Sequence, residues 1–132
     1  MDAKQLNGLT LAYIGDAVYE LYIRKHIISK GYTKVKELHK RVIEYTSGNA
    51  QSLCIHYLLK ENVLSDDEIA IFKRGRNSHV NTSRKNMSLG DYLDATGFEA
   101  LIGYLYISNN IERLEYIISL LINHKEGGHD ND

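Results

Sequence analysis

The stretch Leu9-Thr10-Leu11-Ala12-Tyr13-Ile14-Gly15-Asp16-Ala17-Val18-Tyr19-Glu20-Leu21-Tyr22-Ile23 decides the fold. Its apolar residues lie nearly all the way round a helix, the pattern of a central rather than a surface element. From Gln5 to Ile23 only Asp16 and Glu20 carry charge. A lone carboxylate set between Gly15 and Ala17 on such a helix is costly to bury unless a cation or hydrogen-bond donors meet it. Asp16 therefore calls for a partner, and the rest of the chain is read for what supplies one.

The bulk properties set the frame. A chain of 132 residues has single-domain length and can bury a real core. A net charge of -1 carries no global nucleic-acid signature, so any basic surface must be local. No run approaches the roughly 18 to 20 apolar residues of a membrane span. The start, Met1 to Gln5, has neither the basic opening nor the apolar segment of a secretory signal, so a cytoplasmic protein is expected. Cys54 is the only cysteine, which excludes an intrachain disulfide and argues against a cysteine-based zinc cluster. Proline is absent, while Gly, Asn and Ser supply the breaks. That combination predicts a chain of helices.

The expected first helix starts at Leu6 or Leu9 and runs to Ser29, with Lys30-Gly31 as its stop. Thr33 is placed to cap a second helix through Glu44, whose apolar residues Val35, Leu38, Val42 and Ile43 lie at helical spacing. Thr46-Ser47-Gly48-Asn49 breaks the pattern, and a third helix from Ala50 to Lys60 is expected to turn Leu53, Cys54, Tyr57 and Leu58 inward. Ser65 to Glu68 reads as a capping box opening a short helix. Ser88 to Asp91 reads as the start of another, reaching Ile107 and ending at Asn109-Asn110. Its only charge between Ala95 and Ile111 is Glu99, which repeats the pattern around Asp16. A last amphipathic helix covers Ile111 to His124, so the domain is placed at residues 1–124, with a polar, disordered tail at 125–132.

Between Lys73 and Lys85 the sequence KRGRNSHVNTSRK carries Lys73, Arg74, Arg76, Arg84 and Lys85 with no acid. Gly, Asn, Ser and Thr fill the remainder, so most of it is expected to be loop. It lacks the aromatics of a single-strand stacking platform, and phosphate contact with a structured duplex fits it better. A solvated loop accounts for the same composition. The six His are scattered and read as surface residues.

If Asp16 and Glu99 meet where their helices cross, each would raise the other's pKa unless a cation sat between them. A hard divalent ion such as Mg²⁺ resolves this with few protein ligands, and beside a basic segment it suggests phosphodiester chemistry. Separately solvated acids are the competing reading of the pattern alone.

Resemblance adds to these residues. Tyr13-Ile14-Gly15-Asp16-Ala17-Val18 resembles the signature helix of the ribonuclease III catalytic domain, and Phe98-Glu99-Ala100-Leu101-Ile102-Gly103 resembles its second acidic motif, in the same order and at similar separation. Lys73-Arg74-Gly75-Arg76-Asn77 and Gln5-Leu6-Asn7-Gly8-Leu9 resemble the short bacterial branch, the Mini-ribonuclease III proteins, which lack a double-stranded-RNA-binding domain. The likeness covers Lys4 to Asn123.

It implies an all-α ribonuclease III endonuclease-domain fold that forms a homodimer, with a valley for duplex RNA. It also implies Mg²⁺-dependent hydrolysis leaving a 5'-phosphate and a 3'-hydroxyl. For the Mini branch it implies maturation of the ends of 23S ribosomal RNA precursor, within the large ribosomal subunit or free of it. Asp16 and Glu99 match the family's catalytic, metal-holding acids. Ala12 stands where the wider family has a glutamate and Thr96 where it has an aspartate, so more of the metal shell must be water. Thr96, one turn before Glu99, is placed to orient such a water. Lys73, Arg74, Arg76, Arg84 and Lys85 are expected to contact RNA phosphates. Glu20 is assigned to pairing with Arg24 at i+4, and Asp94 is expected to point away from the site. The alternative is a non-catalytic RNA-binding or ribosome-assembly module on the same fold, which the missing acids at Ala12 and Thr96 favour.

Overall fold

Six helices follow a single 3-10 turn at Ala3–Gln5 in a computed structural model that describes residues 1–78 and 87–127. They are α1 (Gly8–Ser29), α2 (Val35–Thr46), α3 (Gly48–Lys60), α4 (Asp66–Arg76), α5 (Leu89–Ile107) and α6 (Ile111–Gly127). Among the described residues there is no strand, and no helix is long and apolar enough to cross a membrane.

Local chemistry explains most boundaries. The Asn7 side chain accepts from Thr10 N–H at 2.8 Å and starts α1. Gly31, at φ +102°, ends it in the left-handed conformation that glycine adopts without Cβ strain. Ser65 and Glu68 form the expected reciprocal capping box at α4. Ser88 caps α5 through Asp91 N–H at 3.1 Å, and Asn109 at φ 60° turns the chain out of it. Thr33 does not cap α2. The position falls to Lys34, which makes no side-chain cap bond. The break before α3 is shorter than expected, because Ser47 alone ends α2 and caps α3 by accepting from Ala50 N–H.

The inner layer is the crossing of α1 over α5, the most extensive helix pair in the molecule, with α2, α3, α4 and α6 packed around it. Tyr19 on α1 meets Phe98 on α5 edge to face, centroids 5.0 Å apart. Phe98, Leu101 and Ile102 are fully buried, and each contributes about 1.5–3 kcal/mol by leaving water. Gly75 on α4 packs against Gly97 and the Ala100 methyl, and Gly97 on α5 against the Phe72 ring and carbonyl, so neither position has room for a Cβ.

Two expectations about burial are corrected. On α3 the inward residues are Gln51, Ser52, Ile55 and Leu58, whereas Leu53 is 70% exposed. The helix is rotated so that Ile55, not Leu53, occupies the core. α1 is not enclosed either, since Tyr13, Leu21 and Ile28 stand exposed on one side and Asp16 lies on that open side.

α6 extends to Gly127, past the expected end at His124, because Glu126 ties its last turn down. Its carboxylate accepts from Tyr45 Oη, from His26 Nε2 at 2.7 Å, and ion-pairs with Lys30 Nζ at 3.1 Å. Residues 128–132 of the expected tail lie outside the described residues. Burial raises the Glu126 pKa, but those hydrogen bonds outweigh it and hold the group at about 2. A depressed carboxyl pKa stabilises the fold above its unfolded value and ceases to do so as pH falls through the folded one. Glu126→Gln is therefore expected to lower stability at neutral pH by about 1 kcal/mol, since the group is partly solvated. The difference from wild type should shrink between about pH 4 and pH 2, followed by urea unfolding across that range. A pH-independent difference would contradict the ionic account.

Candidate active site

Asp16 and Glu99 converge at the crossing of α1 and α5. A Cβ on Gly15 would lie 1.8 Å from the Glu99 carbonyl oxygen, and one on Gly103 would lie 2.0 Å from the Leu11 carbonyl oxygen. Two bare glycines thus bring the helix backbones into direct contact. This sets Asp16, the neighbour of Gly15, against the turn that carries Glu99. Both acids line one small pocket of about 40 Å³, with room for an ion and a few waters.

The rest of that pocket comes from three directions. α5 adds Ala95 and Thr96, one turn before Glu99, and Tyr92, two turns before it. Thr46 at the end of α2 and Gly48 and Gln51 in the first turns of α3 form the opposite wall. Met87 covers Gly48, where an added Cβ would fall 2.1 Å from the Met87 methyl carbon.

Thr96 lies where the sequence predicted, and its hydroxyl donates to the Tyr92 carbonyl at 3.0 Å. With its proton committed, the oxygen is left to accept from a water in the pocket. Ala12 is buried with Leu11, Ile71 and Ala100, so an acid there would have to displace core packing. Asp16 makes no hydrogen bond or ion pair with another described residue, whereas Glu20 takes both Nε and Nη2 of Arg24, the first at 2.7 Å, as the i+4 spacing predicted. Asp94 is buried away from the pocket and accepts from Arg76 Nε at 2.6 Å and His56 Nε2 at 2.8 Å.

The basic segment begins in helix, and its residues 79–85 lie outside the described residues. Lys73, Arg74 and Arg76 belong to the last turn of α4 rather than to a loop. There the negative end of the helix dipole favours cations. Arg74 Nη1 donates to the carbonyls of Lys4 at 2.7 Å and Leu6 at 3.0 Å, fastening the N-terminal turn. Arg76 is committed to Asp94, while Lys73 is exposed and makes no hydrogen bond with another described residue. Arg84 and Lys85 lie outside the described residues. Gln51 and Met87 were not singled out from the sequence. The available signal was that Gln51, Ile55 and Leu58 share one helical face, which puts a polar residue at a core position.

Two carboxylates in one small pocket, with the hydroxyl oxygens of Thr46 and Thr96 beside them, fit a hard divalent ion with a largely aqueous shell. No group of three or more His, Cys, Asp or Glu among the described residues forms a denser metal cluster. A larger cavity of about 600 Å³, lined by Tyr19, Tyr45, Leu53, Cys54 and His124 among others, lies apart from both acids.

Comparison with known proteins agrees with the geometry. The ribonuclease III domain matches residues 9–110. An all-helical domain with two acids at this crossing, matched over that length, belongs to the ribonuclease III family of endoribonucleases. Its relatives are Mini-ribonuclease 3 proteins. The one from Clostridium tetani is 53% identical over 132 residues, covering 99% of this chain and 86% of its own. That from Streptococcus pneumoniae is 46% identical over 127 residues, covering 96% and 99%. A crystal structure of a protein from Fusobacterium nucleatum superposes with a TM-score of 0.84 at 32% identity, covering 94% of this chain and 98% of that one.

Proposed function

We propose that this endoribonuclease is a cytoplasmic, Mg²⁺-dependent homodimer that cuts double-stranded RNA, and that its substrate is the paired end region of 23S ribosomal RNA precursor, within the large subunit or free. The observation that carries the reading is the shared pocket of Asp16, Glu99 and Thr96. Asp16 and Glu99 would hold the ion, and Thr96 would accept a hydrogen bond from a water in its shell. Magnesium, when bound, supplies the charge that lowers the pKa of water and stabilises the leaving oxygen. The protein's own part is to keep two acceptors at fixed separation on a rigid helix crossing. The open face of α1, with Tyr13 at 81% and Leu21 at 67% exposure beside Asp16, supports the dimer. Apolar residues of that size gain by being covered. The direct test is cleavage of an end-labelled duplex stem from that precursor, with and without Mg²⁺. Discrete cuts bearing 5'-phosphates are expected only with the ion.

Phosphate contact is assigned to Lys73, Arg74, Arg76, Arg84 and Lys85 with different consequences. Lys73→Gln is expected to weaken duplex binding and reduce the slope of log affinity against log salt by about 0.9 for one lost phosphate contact, with thermal stability unchanged. Arg76→Gln removes the partner of buried Asp94 as well, so it should lower the melting temperature in addition. An unchanged salt slope for Lys73→Gln would remove that residue from the RNA face.

A further inference from the structure

Five polar residues are buried in the described part of the molecule: Gln51, Ser52, Glu68, Asp94 and Thr96. Four of them are satisfied within the fold. Ser52 Oγ donates to Asp91 Oδ1 at 2.9 Å, and Thr96 Oγ1 donates to the Tyr92 carbonyl. Glu68 accepts from Nε and Nη2 of Arg113, each at 2.8 Å, and Asp94 accepts from Arg76 and His56. Gln51 is 2% exposed, and its carboxamide has no hydrogen-bond partner among the described residues.

A core position is an unfavourable place for an amide with no protein partner, and a leucine of similar volume would fill it without that cost. Its place in the fold accounts for it. No side-chain nitrogen or oxygen among the described residues is both sealed from solvent and unpaired, so the Gln51 amide opens into the cavity it lines. That cavity is the pocket of Asp16, Thr96 and Glu99.

Among the described residues the pocket has few side-chain donors. Asp16 and Glu99 bring acceptors, and the hydroxyls of Thr46 and Thr96 commit their protons to the Val42 and Tyr92 carbonyls. Gln51 Nε2 and Tyr92 Oη remain as the side-chain donors that the described residues bring to it. Gln51 also sits in the first turns of α3, whose positive end opens on the pocket at Gly48 and favours an anion. We infer that Gln51 is a substrate-contacting residue of the active site, its amide N–H donating to a non-bridging oxygen of the scissile phosphate. The inference rests on the proposed site of Asp16 and Glu99.

A donor that meets only the phosphate predicts two effects. Gln51→Leu lowers the single-turnover cleavage rate 10- to 100-fold, the size expected for one lost donor to developing charge. Gln51→Glu, of the same size with the donor removed, does the same, and it keeps the test open if the leucine variant fails to fold. The second readout is binding. In the Asp16→Asn background without metal, Gln51→Leu weakens affinity for the duplex about fivefold, the loss of roughly 1 kcal/mol. It has no further effect with one of the two separated methylphosphonate diastereomers at the target nucleotide, 2'-deoxy in every duplex, the isomer whose methyl group replaces the oxygen that Gln51 meets.

Cleavage by both Gln51 variants within twofold of wild type would overturn the inference. So would equal losses on the phosphate duplex and on both methylphosphonate diastereomers, which would make Gln51 a packing residue. Asp16→Asn alone separates this from the underlying reading. If that variant cleaves normally, the proposed site itself is wrong. If it is silent while the Gln51 variants cleave normally, only the present inference fails.

Discussion

Asp16→Asn is expected to abolish Mg²⁺-dependent cleavage of the precursor stem while leaving the protein folded. Asp16 lies on the open side of α1 and has no hydrogen bond or ion pair with another described residue. Exchanging one carboxylate oxygen for an amide nitrogen therefore removes nothing that holds the helices together. The expected change in melting temperature is within about 2 °C, as for most surface substitutions that break no specific contact. The effect on chemistry is of another order. With Ala12 and Thr96 at the positions of two family acids, Asp16 and Glu99 are the carboxylates left to neutralise the ion. Altering residues that merely support a ligand costs 10- to 100-fold, so losing one of two direct ligands should cost about 10³-fold or more. Glu99→Gln is expected to behave alike in rate. Chelation of the ion should bring wild type to the same baseline. Duplex binding without metal should persist in both variants, measured by fluorescence anisotropy, because phosphate contacts supply most of the affinity. Cleavage by Asp16→Asn near the wild-type rate would remove Asp16 from the site.

How much of this was legible in the sequence follows from the range of the interactions involved. The two acid-bearing helices, their stops at Gly31 and Asn109, and the Ser65 capping box are local patterns, and each was readable from a few consecutive residues. The register of α3 was not. Of the expected inward residues Leu58 is buried and Cys54 and Tyr57 pack against the core, but the neighbours offered by α5 select Ile55 in place of Leu53, and Gln51 rides with it. The exposure of Tyr13 and Leu21 was hidden for a related reason. Composition records that a residue is apolar, and only the packing of α2, α4 and α5 around α1 decides which sides stay open. Charge counting also could not show that Arg74 and Arg76 have partners inside the fold. Their partners, the carbonyls of Lys4 and Leu6 and the Asp94 carboxylate, are distant in sequence and meet them only in the fold. Glu20 and Arg24, four residues apart on one helix, needed no such knowledge.

The glycines of the crossing carry the second large expected effect. Gly15→Ala would place a methyl carbon 1.8 Å from the Glu99 carbonyl oxygen and 2.8 Å from the Gly103 nitrogen, and both of these atoms are backbone. No rotamer change relieves the clash, so α1 and α5 must move apart along the most extensive contact in the molecule. Overpacking of ordinary cores costs about 1–3 kcal/mol, and a contact this short against backbone belongs at or above the top of that range. Out of a typical total of about 5–15 kcal/mol, that corresponds to a fall in melting temperature of roughly 10 °C. Gly90→Ala is the control, because an added Cβ there meets nothing within 4 Å and the helix gains propensity. The same displacement that destabilises Gly15→Ala also shifts Asp16 relative to Glu99. Cleavage at a temperature where the variant is still folded should therefore fall far more than its stability alone accounts for. Scanning calorimetry combined with the stem-cleavage assay checks both halves. A Gly15→Ala protein with wild-type stability and rate would mean that the helix backbones do not meet as closely as this crossing requires.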